Sequence, residues 1–223
     1  MWKFCKRENS LKGDLMKIIN PYYKIITPLN GEEILKSVES VARVCYKSED
    51  KVTNDSSYRM CTNLIARGHE AMLEHINFSV KFVCDRGVSH ELVRHRMASF
   101  AQESQRYCNY GKDKFGKEVT FIKPCFYDIG SKEFSIWEHA CREAEKYYFE
   151  LLKIGNRPEE ARSVLPNSTK TEIIVTANLR EWRHILKLRT APNAHPQMRE
   201  LMLPLLQELK TKIPIIFDDI MEK

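Results

Sequence analysis

The residues between positions 94 and 107 carry the strongest chemical signal in the chain. The stretch RHRMASFAQESQRY combines three arginines and one histidine with two serines, two glutamines and one tyrosine. Guanidinium groups bind phosphate or a carbonyl–imide edge through paired hydrogen bonds, and hydroxyl and amide groups add neutral donors and acceptors. The stretch is therefore compatible with three interpretations: a solvated basic face, a nucleic-acid patch, or a pocket for phosphates.

Arginines elsewhere in the chain favour the third interpretation, a pocket for phosphates. Several lie among apolar or small residues, as Arg162 does in EEARSVLP and Arg189 in ILKLRTAP. A buried unpaired charge is very costly, so each needs either an internal carboxylate or a bound anion. For any single arginine the internal ion pair is the better explanation, but seven such residues together favour a ligand. They are Arg94, Arg96, Arg106, Arg162, Arg180, Arg183 and Arg189.

Other chemistries have weaker support. HEAMLEH (residues 69–75) resembles the zinc motif H-E-x-x-H, but its histidines are six residues apart, so a helix would direct them to different sides. Cys125 has no nearby base to lower its pKa, and we interpret it as a buried structural cysteine. The chain contains no G-x-S-x-G, G-x-G-x-x-G or P-loop motif. We therefore expect no metal site and no covalent nucleophile, and any nucleotide is held by side chains.

The composition limits the class of protein. The chain has 223 residues, 43% of them hydrophobic, which is enough for a packed core. Its net charge of +6 favours anionic ligands in general but is far from a histone-like composition. Seven cysteines without a C-x-x-C pair, no signal peptide and no run of about 18 apolar residues predict a cytoplasmic protein that does not span a membrane.

Hydrophobic periodicity divides the chain into elements. Residues 1–20 are predicted to be an N-terminal extension and residues 21–223 a single α+β domain. The clearest strand covers residues 76–84, and a helix over residues 89–97 follows it with Ser89 as the N-cap. The remaining elements are helices at 31–46, 57–68, 132–155, 158–166, 178–189 and 197–213, the last kinked or shortened by Pro204, a strand at 169–178 and a hairpin-like stretch at 109–124.

Six positions of the opening stretch resemble a family signature. Arg94-His95-Arg96, Ser99, Ser104 and Arg106 match R-H-R-x-x-S-x-x-x-x-S-x-R of the flavin-dependent thymidylate synthases. The resemblance extends from about residue 31 to residue 210. It includes GHEAMLEHINFSV, EEARSVLP and TANLREWRHILKLRTAPNAHPQMRE. Ala101 departs from the pattern, since many members carry Asn or Ser there.

This resemblance implies an activity and an architecture. Members of the family convert dUMP to dTMP, with methylenetetrahydrofolate as one-carbon donor and NADPH as reductant through FAD. Reduced flavin delivers hydride to the uracil ring, and no enzyme nucleophile takes part. The implied fold is α+β, with a mostly antiparallel sheet flanked by helices. The implied assembly is a homotetramer whose active sites are shared between subunits.

The resemblance also assigns roles to individual residues. Arg189 matches the catalytic arginine that pairs with the uracil imide and favours loss of its N3 proton. The positions implied to bind dUMP are Glu91, Leu92, Val93, Arg94, Gln102, Glu103, Ser104, Gln105, Arg106, Arg162 and Arg189. The positions implied to bind FAD are Ala71, Arg94, His95, Arg96, Gln102, Asn178, Leu179, Arg180 and His184.

Two alternatives compete with this interpretation. An RNA- or DNA-binding module would use the same Arg/Tyr-rich surface, and it would show strongly salt-dependent polymer binding and no chromophore. A flavoprotein of the same fold that no longer methylates its substrate is the second, and Ala101 is the feature that points to it. We favour the synthase, with dUMP, folate and NADPH as partners and no nucleic-acid polymer.

Overall fold

A computed structural model describes residues 16–112 and 116–221 of the chain. Strands and helices follow one another along the chain in a mixed order. They are β1 (Lys17–Ile19), β2 (Tyr22–Ile25), α1 (Gly31–Tyr46), α2 (Ser56–Ala66), β3 (Asn77–Asp85), α3 (Arg86–Leu92), β4 (Ser99–Gln102), β5 (Thr120–Ile122), α4 (Lys132–Lys153), α5 (Pro158–Ala161), β6 (Lys170–Asn178), α6 (Leu179–Arg189) and α7 (Pro196–Lys212). Short 3-10 turns at Glu49–Lys51, Glu70–His75 and Arg162–Val164 connect some of them.

The central sheet is antiparallel and has the strand order β2-β3-β6-β4. Strands β3 and β6 pair along their full length, from Asn77 opposite Asn178 to Asp85 opposite Lys170. A second sheet consists of β1 and β5, which pair in parallel. The predicted α+β class with a mostly antiparallel sheet and flanking helices is therefore confirmed.

The main core lies where helices α1, α6 and α7 cover this sheet. Trp182 of α6 is buried, stacks on Phe78 of β3 with ring centroids 4.9 Å apart, and donates from Nε1 to the Phe78 carbonyl at 3.1 Å. The stacked pair and its hydrogen bond attach α6 to the centre of the sheet. Because α6 also carries Arg189, this packing determines where that arginine lies.

A smaller core lies under helix α4. It contains Met16, Tyr110, Val119, Phe121, Cys141, Tyr148 and Ala161. Of the proposed N-terminal extension, residues 1–15 lie outside the described part of the chain, whereas Lys17–Ile19 form β1 and pair with β5. The smaller core therefore joins the start of the described chain to helix α4.

Most predicted elements are confirmed, with three differences. Helix α3 begins at Arg86, because Oδ1 of Asp85 accepts the Val88 amide at 2.9 Å and caps it, so Ser89 is buried inside the helix instead of capping it. Helix α3 also ends at Leu92, not at residue 97.

The C-terminal helix and the predicted hairpin provide the other two differences. Pro204 does not shorten α7, because it lies on the exposed face while Leu201 and Leu205 are buried and hold the helix on both sides. In the described part of the stretch 109–124, β5 pairs with the distant β1 and forms no hairpin. Strand β5 finds its partner through tertiary packing, which local turn residues do not reveal.

Candidate active site

Helix α6 starts directly at the end of strand β6. Asn178 is the last strand residue and the N-cap of the helix, and its Oδ1 accepts the Glu181 amide at 2.8 Å. The helix is 11 residues long and ends at Arg189. A cation is favourable at this end because the helix dipole is negative there.

Arg189 connects α6 to α3 and to the loop that follows α3. Its Nη1 donates to Oε2 of Glu91 at 2.6 Å, and its Nη2 donates to the Glu91 carbonyl at 3.0 Å. Its Nε donates to Nε2 of His95 at 2.9 Å. The side chain is 18% exposed, so the guanidinium is fixed by three contacts and still reaches the surface.

His95 is buried beside this guanidinium and is neutral at physiological pH. Burial, the positive charge of Arg189 and the neighbouring His184 together lower the pKa of His95 from 6.5 to about 4. Its ring meets the His184 ring edge-on, with centroids 5.9 Å apart. A neutral imidazole can accept the Arg189 hydrogen bond, which an imidazolium cannot do.

Two further arginines beside His95 are unpaired. The side chains of Arg94 and Arg96 are exposed, and neither guanidinium has a carboxylate partner within residues 16–112 and 116–221. Met97 and Tyr107 nearby in sequence are 75% and 76% exposed. This surface therefore offers positive charge, a thioether and an aromatic ring, a combination that suits an anionic aromatic ligand.

Strand β4 and the residues after it are held by internal contacts. Nε2 of Gln102 donates to Oγ of Ser89 at 2.9 Å and to Oγ1 of Thr171 at 3.2 Å. Glu103 accepts from Lys170 at 2.9 Å and from the Tyr110 hydroxyl at 3.1 Å. The side chains of Gln102 and Glu103 therefore brace the segment against α3 and β6.

The next residues meet helix α5. Oγ of Ser104 accepts the Arg106 amide at 3.3 Å, and Nε of Arg106 donates to Oε2 of Glu159 at 2.8 Å. Nε of Arg162 donates to the Glu159 carbonyl at 3.3 Å. Glu159 thus connects two arginines that the resemblance assigned to dUMP, and both remain exposed. Gln105, between Ser104 and Arg106, is buried.

A cavity of about 400 Å³ opens at the start of α6. Three of the residues assigned to FAD line it: Asn178, Arg180 and His184. Its other lining residues are Glu70, Glu74, Met97, Glu181, Arg183 and Lys187. Ala71, a fourth residue assigned to FAD, lies exposed in the turn that carries Glu70 and Glu74.

Two of the assigned positions differ from the rest. Leu92 and Leu179 are fully buried and belong to the main core, so their side chains do not reach a ligand and only their backbone is available for contact. Val93, between Leu92 and Arg94, is exposed. The difference arises because consecutive residues of a helix are about 100° apart, so that Leu92 faces the core while Val93 already faces solvent.

Arg183 is a structural residue and does not belong to the ligand set. It is 1% exposed, donates to both carboxylate oxygens of Asp219 at 2.6 and 2.7 Å, and donates to Glu70 at 3.0 Å and to the Ile216 carbonyl. These partners use four of the five N–H donors of its planar fork. The internal ion pair, which the sequence left open for each arginine, is the correct explanation here.

Cys125 is exposed, which contradicts its interpretation as a buried cysteine. The pKa of its thiol is nevertheless raised, first by partial desolvation of the sulfur and then by the nearby Glu200. A raised pKa disfavours the thiolate that a nucleophile requires. In the described part of the chain there is also no group of three His, Cys, Asp or Glu side chains that could hold a metal.

Most of the acidic residues around the site were not predicted from the sequence. Glu70, Glu74, Glu91 and Glu181 all approach the cationic residues, but only Glu91 was assigned a role. Glu181 had a readable signal, because it stands three residues after the helix-capping Asn178, where Glu is typical of a helix start. That signal predicts the helix but not which side chain Glu181 meets.

The fold and the site define an α+β protein with an arginine-rich surface for an anionic ligand. Residues 29–215 match the family described as "Thymidylate synthase complementing protein". Curated proteins named flavin-dependent thymidylate synthase are similar to the chain: 34% identical in Pyrococcus abyssi (78% of this chain, 74% of that protein) and 33% identical in Corynebacterium glutamicum (86% and 81%). The chain belongs to the family of flavin-dependent thymidylate synthases.

Solved structures agree with the fold. The chain resembles a UMP/dUMP methylase, PolB, from Streptomyces cacaoi, solved with 5-bromo-UMP and with 5-bromo-dUMP. The TM-scores are 0.74 and 0.75 at 21% and 23% identity, over 91% of this chain and 95% and 96% of the PolB chains. No helix among the described residues is both long and apolar enough to span a membrane.

Proposed function

We propose that this protein methylates dUMP reductively to dTMP, with methylenetetrahydrofolate as the one-carbon donor and NADPH as the reductant through FAD. Family membership supports the reaction, and the resemblance to a methylase of UMP and dUMP supports a uracil nucleotide as substrate. The thiol with a raised pKa at Cys125 agrees with a reaction that uses no enzyme nucleophile. We further propose that residues 21–223 act as one domain in the cytoplasm.

The environment of Arg189 is the observation that carries the proposal. Glu91 and His95 hold its guanidinium at the surface through three hydrogen bonds. A fixed, permanently charged planar donor can pair with the uracil imide and stabilise the negative charge that forms when the N3 proton leaves. Because its partners are already in place, Arg189 needs little reorganisation when dUMP binds.

The phosphate of dUMP needs cationic partners that are not neutralised within the chain. Arg94 is exposed without a carboxylate partner in the described residues, and Arg106 and Arg162 are exposed next to Glu159. Exchange of a surface carboxylate for a dianionic phosphate on Arg106 is favourable, because charge-assisted bonds to phosphate are among the strongest in proteins. Ser104 adds a hydroxyl donor beside Arg106.

The residues around the cavity at the start of α6 fit FAD. Arg180, His184 and Asn178 line it with cationic or polar groups, and the exposed Arg96 follows His95. Such donors suit the anionic pyrophosphate and the polar edge of the isoalloxazine ring. Bound FAD supplies the hydride that the uracil ring accepts. The chain's residues orient the two ligands and exclude water between them.

We propose a homotetramer with shared active sites. Exposed apolar side chains surround the proposed site, including Met97, Tyr107 and Val93. Apolar groups in such positions are typical of surfaces that a second subunit covers. A second subunit at this surface would also close the open side of the cavity at the start of α6.

An anaerobic spectral assay tests the proposal. The purified protein is expected to show the visible band of oxidised flavin, to lose it on addition of NADPH, and to form dTMP from dUMP when methylenetetrahydrofolate is supplied. A colourless protein that takes up no FAD and forms no dTMP would overturn the proposal. The arginine surface would then be tested for salt-dependent binding of RNA and DNA.

A further inference from the structure

His95 lies between two charged residues of helix α6. On one side Nε of Arg189 lies 2.9 Å from His95 Nε2, and on the other side Oε1 of Glu181 lies 3.6 Å from His95 Nδ1. The His184 ring is the third group of α6 that faces the imidazole, and Glu91 of α3 reaches it only through Arg189. Three groups that border the imidazole thus lie on one helix, α6.

The two neighbours demand opposite roles from the imidazole. An arginine has no acceptor, so its Nε–H requires a lone pair on Nε2 of His95. Oε1 of Glu181 lies just beyond hydrogen-bond distance of Nδ1, and a carboxylate there favours the tautomer that carries its proton on Nδ1. A neutral histidine carries one proton on either nitrogen, and only the form with the proton on Nδ1 meets both demands.

We infer that Glu181 is a positioning residue that keeps His95 as the Nδ1–H tautomer and thereby holds Arg189 in its site. The inference rests on the proposed function in one respect, namely that Arg189 is the residue that meets uracil. Glu181 itself touches neither Arg189 nor the proposed position of the substrate; it acts through the imidazole. A carboxylate that orients a histidine in this way has large effects in other enzymes.

Burial separates Glu181 from an ordinary helix-start glutamate. Glu33 occupies the same position in α1, three residues after the N-cap Asn30, and it is exposed. Glu181 is only 11% exposed, and burial raises its pKa. A buried carboxyl group needs polar neighbours, and Glu181 has two: Nδ1 of His95 at 3.6 Å, and His184, whose charge opposes the rise of the Glu181 pKa. Helix capping alone does not require this burial.

The comparison of Glu33 with Glu181 supplies matched controls. Glu181→Ala and Glu33→Ala remove the same interaction with the helix N-terminus, but only Glu181→Ala removes the carboxyl group next to His95. Glu181→Gln keeps an oxygen that can accept a hydrogen bond from Nδ1–H of His95. The four proteins to compare are the wild type, Glu181→Ala, Glu181→Gln and Glu33→Ala.

The first measurement is ¹⁵N NMR of histidine-labelled protein without ligands near neutral pH. The His95 signals are assigned by their loss in His95→Asn. We expect the Nδ1–H tautomer in the wild type, Glu33→Ala and Glu181→Gln, and a detectable Nε2–H form in Glu181→Ala. A wild-type His95 protonated on Nε2, or an unchanged tautomer in Glu181→Ala, overturns the inference. If Glu181→Ala does not fold, Glu181→Met, which keeps the length of the side chain without its carboxyl group, is measured in its place.

The second measurement is steady-state kinetics with dUMP as the varied substrate. We expect Glu181→Ala to raise the KM for dUMP about tenfold when FAD is saturating, a condition that matters because Glu181 also lines the cavity proposed for FAD. Glu181→Gln should recover most of this loss, and Glu33→Ala should stay near the wild type. Equal KM values in Glu181→Ala and the wild type would contradict the link to Arg189. Failure of the proposed function is distinguishable, because an inactive wild type leaves the NMR result on the ligand-free protein intact.

Discussion

Arg183 and Arg94 show two opposite uses of the same side chain. Arg183 is buried, and Glu70, Asp219 and a backbone carbonyl accept from four of its five N–H donors. Arg94 is exposed, and no carboxylate in residues 16–112 or 116–221 pairs with it. A buried guanidinium with internal carboxylate partners holds the fold together, whereas an exposed one without them is available to a ligand.

Arg189 lies between these extremes. Its donors are partly used by Glu91 and His95, and its side chain still reaches the surface. The internal partners orient it and leave room for a substrate edge. The comparison therefore predicts three kinds of mutational effect: on catalysis at Arg189, on stability at Arg183, and on ligand binding at Arg94.

The largest effect is expected at Arg189. Arg189→Lys keeps the positive charge but removes the planar fork, so turnover should fall about 100-fold while FAD content changes little. The measurements are the rate of dTMP formation and the flavin-to-protein ratio. Unchanged turnover would remove Arg189 from its assigned role.

The next effect is expected at Arg183. Arg183→Met keeps the apolar stem but leaves Glu70 and Asp219 without their main cation. Both carboxylates are partly exposed, so we expect a loss of roughly 2 kcal/mol in the free energy of unfolding, less than for a fully buried pair. Urea denaturation measures it, and Arg157→Met, at an exposed arginine near Glu159, is the control with little effect. Equal stability losses in both variants would contradict the distinction.

A smaller effect is expected at Arg94, where substitution should weaken ligand binding but leave stability unchanged. Arg94→Gln removes a charge that has no carboxylate partner among the residues the structure describes, so the free energy of unfolding should stay within about 0.5 kcal/mol of the wild type. Binding of dUMP should weaken roughly tenfold, since one charge-assisted hydrogen bond to the ligand is lost. Calorimetric titration with dUMP compares the two proteins. A destabilised variant with unchanged affinity would place Arg94 with Arg183 instead.

The smallest effect is expected at Cys125. Cys125→Ala removes an exposed thiol whose pKa is raised, so dTMP formation should remain within about threefold of the wild type. The assay is the same as for Arg189→Lys. Loss of all dTMP formation in a folded variant would revive a covalent mechanism through this thiol.

Much of the fold was predictable from local patterns. Helix α1 spans the predicted residues 31–46, and strand β6 covers all but the first of the predicted residues 169–178. Amphipathic spacing and strand alternation are properties of neighbouring residues, so the sequence displays them directly. The start of α3 was missed because Asp85 acts as strand end and N-cap at once.

The sequence by itself determined the class of fold, the family signature and the chemistry of the arginine-rich stretch. The sequence does not distinguish structural arginines from ligand-facing ones, because Arg183 and Arg189 stand in similar apolar contexts on the same helix. Their different roles depend on distant partners. Glu70 is 113 residues from Arg183, and His95 is 94 residues from Arg189. Only the tertiary structure brings such distant partners together, since packing of α6 on the sheet decides which side chains meet.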